Sequence, residues 1–569
     1  MWQVVPRDGE LTPSLETEWQ FDAVHLAPVQ RWLAQHAEGT IRVEPAGTRS
    51  LVDTYLDTSD LRILRAQRSL RLRRMGRATE ITLKTHAPAV AGVRSREEIT
   101  ELLPVPEVAA LGTDGEVGWR VRALIGRRQL TELFEVRTRR QVFTLQNGAL
   151  PAGEVVLDRT VIGVGPRLEP ARLRRVEVEV ADATNPEIAA FVERLRQECG
   201  LQLATHTKFE AGFLARGLEI PLARDFGSTS FDLQSSTGEL AFAVLRGLFV
   251  EMLAHESGTR LGEDPEELHG MRVATRRLRA VLGIFEPALP VRASRFREDL
   301  GWLGQVLGAV RDLDVGIGQL REEAADGVVH EDVGAFDALI SVLESRRSDA
   351  RALLLEALDS RRYDRLVGGF AAFLAHGPLR RSAASTAPAA GTVPAIAIER
   401  YRKVRKQGRR LDASSEPGEF HVLRIRCKAL RYALEAVAEL YGKPARVMNR
   451  RLIALQDALG SHQDAIVAHE RLRSLAIDDG HDLPPAMLFA MGELAARYTD
   501  RAERLRSEFP PLFRKLAGPW KDLRRVMEAA APEIPSSRTS PSVRSFAMRP
   551  DAVAGLVKFD ESADDLERA

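Results

Sequence analysis

A block of basic residues occurs twice, 152 positions apart, and this repeat constrains the fold more than any other feature of the chain. The first copy reads LHGMRVATRRLRAVL from Leu268, and the second reads FHVLRIRCKALRYAL from Phe420. His269, Arg272, Arg276 and Arg279 fall on His421, Arg424, Lys428 and Arg431. On an α-helix the spacing i, i+3, i+7, i+10 places all four on one stripe. No acid interrupts either row between the histidine and its last arginine, so each is a ladder of cationic donors suited to a long anion. The same offset relates Asp264-Pro265 to Glu416-Pro417, an acid and a proline where a helix begins. It also relates LGWLGQVLGAVRD (from Leu300) to LIALQDALGSHQD (from Leu452), which share leucines, a glycine and a final aspartate. Residues 239–527 are therefore read as a duplicated all-α domain, each half built around helices rich in Leu, Ala and Arg.

Composition restricts what that ladder meets. Lys plus Arg (81) nearly equals Asp plus Glu (80), for a net charge of +1. A generic nucleic-acid binder is basic throughout, so nucleic acid is a poor candidate, and an anion docked at a local patch fits better. Arg402, Lys403, Arg405, Lys406, Arg409 and Arg410 in ERYRKVRKQGRR either extend the patch or form an exposed amphipathic stretch. Cys199 and Cys427 lack metal-ligand spacing and read as buried thiols in a reducing compartment. With no leader-like start and no membrane-length apolar run, the protein is expected to be cytoplasmic and to have no membrane partner. Residues 218–238 read as a linker, 377–394 as a mobile low-complexity insert between the two halves, and 528–569 as a disordered tail.

Up to about Gly217 the periodicity changes to two. Glu16, Glu18 and Gln20 alternate with Thr17 and Trp19; Arg71 and Arg73 with Leu70 and Leu72; Glu80, Thr82 and Lys84 with Ile81 and Leu83. Arg137 and Arg139 bracket Thr138, and Glu177 and Glu179 alternate with valines. Each strand thus has one ionic and one largely apolar face. Two architectures satisfy this pattern. One is an open antiparallel sheet with its ionic face in solvent. The other is a closed barrel with the ionic faces inward around a polar cavity and helices over part of the apolar exterior. In a cavity lined by both signs, carboxylates attract a hard divalent cation such as Mg²⁺ or Mn²⁺ while arginines and lysines grip phosphate oxygens.

The ordered set ETEWQ (from Glu16), TYLDTSDLRIL, LRLR, ITLK, RSREE, RTRR, VVLD, VEVEV and THTKF resembles the CYTH domain of the triphosphate tunnel metalloenzymes, over residues 1–217. The resemblance implies an α+β two-domain chain: an eight-stranded antiparallel tunnel that hydrolyses a triphosphate with Mg²⁺ or Mn²⁺, followed by the helices. It implies Glu16, Glu18, Asp158, Glu177 and Glu179 on the metal side. Arg71, Arg73, Lys84, Arg96, Arg137, Arg139 and Lys208 would hold substrate, with Glu16, Glu18 and Lys84 catalytic. Two positions depart from the family pattern: Gln20 replaces the signature lysine, and Thr207-Lys208-Phe209 replaces serine-lysine-tyrosine.

The paired H-x-x-R-x-x-x-[RK]-x-x-R motifs resemble the CHAD domain. That resemblance implies two stacked four-helix bundles related by a pseudo-twofold, with inorganic polyphosphate on the basic face. Each histidine either contacts the anion or orients a neighbouring group. The expected function is inorganic tripolyphosphate hydrolysis in the tunnel, with polyphosphate held by the helices. Gln20 favours a binding-only tunnel in a protein that accompanies polyphosphate granules. Thiamine triphosphate hydrolysis and nucleotide cyclisation are further chemistries of the tunnel family, but the chain has no evident base-recognition element.

Overall fold

The computed structural model describes residues 14–530, apart from 36–39, 77, 87–88, 90–91, 104–114, 164–169, 218–224, 233, 326–332, 436–437 and 479–482. The expected tail from 531 onward and part of the expected linker lie outside the described residues. The chain forms two compact units that divide between Arg224 and Asp225.

The first unit is a β-barrel. Its strands are β1 (Ser14–Asp22), β2 (Ile41–Thr58), β3 (Arg68–Met75), β4 (Ala78–Thr85), β5 (Val93–Leu103), β6 (Leu130–Asn147), β7 (Leu150–Gly163), β8 (Ala171–Val180) and the two-residue β9 (Gln202–Leu203). Eight of them run β5-β4-β3-β2-β6-β7-β8-β1, and β1 pairs again with β5, closing the sheet. All the pairings are antiparallel.

Register decides what faces inward, because residues opposite each other in an antiparallel ladder share a face. Glu16 lies opposite Arg96, Glu18 opposite Glu179, and Gln20 opposite Glu177. Around the ring, Lys84 faces Glu98, Arg73 faces both Glu80 and Asp53, and Asp158 faces both Arg140 and Arg175. This ionic face lines the interior, where Glu18, Asp53, Asp158, Arg175 and Glu177 are all at most 3% exposed. The closed architecture is therefore the one adopted.

The alternate residues point outward and are covered by helices. Helices α1 (Ala27–Ala34), α2 (Arg62–Arg65), α3 (Glu116–Ile125), α4 (Pro186–Glu198) and α5 (Lys208–Ala215) belong to this unit. Val29, Trp32 and Leu33 of α1 and Ile188, Phe191 and Leu195 of α4 pack on Trp19, Phe21, Val155, Val176 and Val178. Val117 and Val121 of α3 cover Leu70, Leu72, Ile81 and Leu83. Asn185 fixes the start of α4 by accepting hydrogen bonds from the Glu187 and Ile188 amides ahead of a Pro186 entry.

The second unit is all helical: α6 (Thr237–Ala254), α7 (Glu256–Leu261), α8 (Pro265–Ile284), α9 (Ala293–Ala325), α10 (Val333–Leu358), α11 (Arg361–His376), α12 (Ala383–Thr386), α13 (Ala389–Gly408), α14 (Pro417–Glu435), α15 (Ala438–Asp478), α16 (Pro485–Arg514) and α17 (Ala517–Ala530). Helix α15 is interrupted at Gly442, where φ is 57°. Helices α13, α14 and α16 start 152 residues after α6, α8 and α10, so the repeat spans the whole unit. The Thr237 amide donates to the Ala387 carbonyl at 2.8 Å and the Ala389 amide to the Ser235 carbonyl at 3.1 Å. These two bonds exchange equivalent residues of the halves, which is what a pseudo-twofold axis between them requires. One large core draws on both halves, and a second joins α9 and α10 to α15 and α16 through Leu320, Phe336, Leu339, Met487 and Leu494.

Residues 377–394 correct an expectation. Rather than forming an insert, this stretch holds α12 and the first turns of α13, with Ala389, Ala390 and Val393 buried. It supplies the second-half counterpart of α6. Among the described residues, no helix is long and apolar enough to cross a membrane.

Candidate active site

Besides the Arg175–Asp22 pair, the described residues of the barrel interior form three ionic clusters. In the first, Glu16, Glu18 and Glu179 each offer a carboxylate oxygen, all within 4.8 Å of one another. Burial pushes the Glu179 carboxyl up to about 7 despite Arg140, with Glu16 and Glu177 adding to the rise. Glu18 accepts hydrogen bonds from Arg96 and, at 2.9 Å, from Gln20 Nε2, while Arg96 also lies 3.6 Å from Glu16.

In the second cluster, Arg140 reaches Asp158 at 2.8 Å and Glu177 at 2.6 Å, and Lys208 reaches Glu177 at 2.9 Å and also Asp158. Burial alone would raise the Glu177 carboxyl, but Lys208 and Arg140 outweigh it and hold the group far below the usual range. The same carboxylates drive Arg140 well above its ordinary value against the effect of burial.

In the third, Asp53 takes a two-pronged pair from Arg73, at 2.7 and 2.9 Å. Lys84 lies 2.8 Å from Glu16 and 2.5 Å from Glu98, and Arg71 lies 3.5 Å from Glu98. Burial opposes the charged forms here too, yet these cations bring both Asp53 and Glu98 down to about 2.

Lys208 belongs to no strand. Helix α5 carries it, and its start is set by a capping box in which Thr207 and Glu210 serve each other's backbone amides. Phe209 and Phe213 anchor the helix against Tyr55 and Phe134. Gly212 permits the approach, since a Cβ there would collide with the Phe134 ring. The Thr-Lys-Phe departure thus keeps the cap, the cation and the aromatic anchor.

The structure brings Glu16, Glu18, Arg71, Arg73, Lys84, Arg96, Asp158, Glu177, Glu179 and Lys208 into the lumen. It corrects two expectations. Arg137 and Arg139 face outward: the Arg137 side chain is 74% exposed and pairs with Glu135, and Arg139 is exposed opposite Arg159. Arg140 enters the lumen in their place. Of the five expected metal ligands, only Glu16, Glu18 and Glu179 converge, whereas Asp158 and Glu177 are committed to Arg140 and Lys208. Two further lumen acids, Asp53 and Glu98, escape the sequence pattern and become legible only once their strands are paired with β3 and β4.

The three converging oxygens suit a hard divalent cation such as Mg²⁺ or Mn²⁺. Gln20 supports the fit: its Oε1 is buried without a hydrogen-bond partner, an acceptor that a cation would satisfy.

In the helical unit, the predicted stripe residues are half-buried rather than fully exposed, and Lys428 is buried at 8%. Arg272 lies 3.8 Å from Asp312, and Arg431 lies 3.3 Å from Glu435. Glycines make room for the arginines: a Cβ at Gly301 would sit 3.3 Å from Arg279 Nε, at Gly308 3.5 Å from Arg272 Nε, and at Gly460 4.0 Å from Arg424 Nε. His421 Nδ1 lies 3.0 Å from Gln463 Oε1. His269 Nδ1 has no hydrogen-bond partner, and burial followed by Arg311, Arg276 and Arg272 lowers its pKa.

A closed antiparallel tunnel with acids beside bases in its lumen, followed by a duplicated bundle with two basic helices, defines a two-domain chain of the tunnel-plus-helical class. The families are specific. Residues 30–213 match the CYTH domain and residues 243–473 the CHAD domain, so the chain carries the first followed by the second. Among solved structures, the CHAD domain of the plant Ricinus communis is 28% identical, over 52% of this chain and 97% of that one, with a TM-score of 0.44. PptA from Streptomyces chartreusis is 23% identical, over 49% and 100%, with a TM-score of 0.42. A Hippeastrum protein described as a putative adenylyl cyclase with a dominant triphosphatase activity is 17% identical, over 36% and 99%, with a TM-score of 0.29. No curated protein matches the chain.

Proposed function

We propose that the tunnel hydrolyses inorganic tripolyphosphate and that the helical unit binds inorganic polyphosphate along the α8 and α14 stripes. The observation that carries the first part is the trio Glu16, Glu18 and Glu179, set within one lumen beside Arg71, Lys84, Arg96, Arg140 and Lys208. Mg²⁺ or Mn²⁺ on the trio would polarise the terminal phosphoryl group. The chain's own residues do the rest. Arg71, Arg73 and Lys84 on one wall and Arg140 and Lys208 on another exchange their present carboxylate partners for phosphate oxygens, which orients the substrate along the lumen. Burial of the site excludes bulk water, so these contacts act in a low dielectric.

For the helical unit, two equivalent rows of cations related by the pseudo-twofold support a repeating anion rather than a single small one. The charge pattern and the family resemblance carry this reading.

Gln20 favours a second reading, a tunnel that binds without turnover, because its amide cannot neutralise a phosphate oxygen. Phosphate release from tripolyphosphate with Mg²⁺ or Mn²⁺ separates the two. Metal-dependent release that disappears in Glu16→Ala identifies the enzyme. Silence in the wild type with activity in Gln20→Lys identifies the binding-only tunnel.

A further inference from the structure

The last turns of α13 carry charge that the bundle does not need. Arg402, Arg405, Lys406, Arg409 and Arg410 are exposed, and among the described residues no carboxylate pairs with any of them. The duplication supplies an internal control. At the equivalent positions α6 and the residues after it have Val250, Leu253, Ala254, Ser257 and Gly258, none of them basic. Helix α6 nevertheless packs against α8 as α13 packs against α14. Packing therefore places no demand for cations on this face. Favourable interaction with a helix C-terminus, which falls off within the last turn, accounts for one or two of them but not for five.

Arg402, Arg405 and Lys406 lie on α13 itself, and Arg409 and Arg410 follow its last residue, Gly408. Arg426 of α14 donates to Gln407 at 3.1 Å, and at about 100° per residue it lies roughly opposite Arg424 and Lys428, so α13 meets the side of α14 away from the His421–Arg431 stripe. The surface is a distinct one, reached by passing over α14. Its aromatic neighbours are already engaged: Tyr401 stacks on Trp520 at 4.0 Å, and Phe513 lies against Gly408. Among the described residues, these neighbouring rings are taken up by packing rather than offered to stack a nucleobase, which single-stranded nucleic-acid surfaces use alongside their cations. Cations without such a platform fit a polyanion without bases.

We infer that the outer face of α13 is a second polyphosphate surface, engaged only by chains long enough to leave the α8/α14 stripes and continue over α14. The inference rests on the proposal that those stripes bind polyphosphate. It makes affinity dependent on chain length, because the second engagement is intramolecular once the first has formed.

The test uses the full chain, long-chain polyphosphate, tripolyphosphate and a single-stranded RNA, with titrations at several salt concentrations. Arg405→Glu/Arg409→Glu is expected to weaken long-chain binding about tenfold or more and to lower the salt slope by about two, roughly one for each cation that no longer meets a phosphate. Helical circular dichroism and tripolyphosphate turnover should match the wild type. Unchanged long-chain affinity and slope in a folded variant overturns the inference, as does a loss confined to RNA. Arg276→Glu/Lys428→Glu tests the underlying reading separately. If that variant binds long chains normally, the stripes are not the primary site, whatever the α13 variant does.

Discussion

Arg96 rests on both β1 carboxylates of the trio, bonded to Glu18 and 3.6 Å from Glu16. A guanidinium there competes with any divalent cation for the same oxygens. Arg96→Gln should therefore bind Mn²⁺ more tightly in the absence of substrate, by about tenfold for one charge-assisted contact at the low end of 1.5–3 kcal/mol, while tripolyphosphate binds more weakly. Calorimetric Mn²⁺ titration reads the first effect, and weaker Mn²⁺ binding in the variant would refute the competition. Arg140 makes a second case. Arg140→Gln leaves Asp158 and Glu177 with Lys208 as their remaining cation of the cluster, so it should lower both thermal stability and turnover, whereas Arg139→Gln should change neither. Thermal unfolding and phosphate release check both variants. Side-chain parity is where the sequence misleads. In Arg137-Thr138-Arg139-Arg140 cations occupy both faces of one strand, and only the pairing with Asp158 on β7 says which of them enters the lumen. Glu177 and Glu179 escape this ambiguity because valines alternate with them.

Helix α5 places the Lys208 cation in the lumen through a single turn of packing. Gly212→Val should force the Phe134 ring away, at about 1–3 kcal/mol for an overpacked site, and displace Lys208 from Asp158 and Glu177. The expected result is a lower Tm and a larger fall in turnover than Gly247→Val gives. That control makes the same change within α6, where nothing lies within 4 Å of an added Cβ. Equal effects of the two substitutions would show that α5 does not hold Lys208 in place. Elements differ in how openly they declare themselves. The basic helices α8 and α14 are legible because stripe and offset coincide. Helix α13 is not, because an entry of Ala, Ser, Thr, Gly and Pro looks like a linker. Alanine is nevertheless the strongest helix former, and here Ala389, Ala390 and Ala397 are the small residues that sit buried in the bundle.

At the scale of the molecule, the pseudo-twofold can be read from one constant offset, but barrel closure cannot, since an open sheet and a closed one share the same period of two. Closure comes from β1 pairing with both β5 and β8, and its consequence is electrostatic. Carboxylates that an open sheet would leave in water are enclosed with cations and titrate accordingly. Glu98 is the clearest example: burial opposes its charge, yet Lys84 and then Arg71 hold its carboxyl at about 2, against an ordinary value of 4.5. A folded pKa below the unfolded one means that the unfolded chain takes up the proton first. The resulting stabilisation is complete above about pH 4.5 and is lost as pH falls toward 2, and it is worth on the order of 3 kcal/mol. Asp53 acts in the same direction through Arg73. Glu179, with its carboxyl raised to about 7, is already protonated in that window and does not offset them. Chemical denaturation of wild type and Glu98→Gln between pH 7 and pH 3 isolates the effect from acids elsewhere in the chain. The two should differ most near neutrality and converge as the solution is acidified. A stability difference that stays constant with pH would mean that Glu98 is not held as a charged partner of Lys84, and that the lumen lacks the enclosure from which its chemistry is argued.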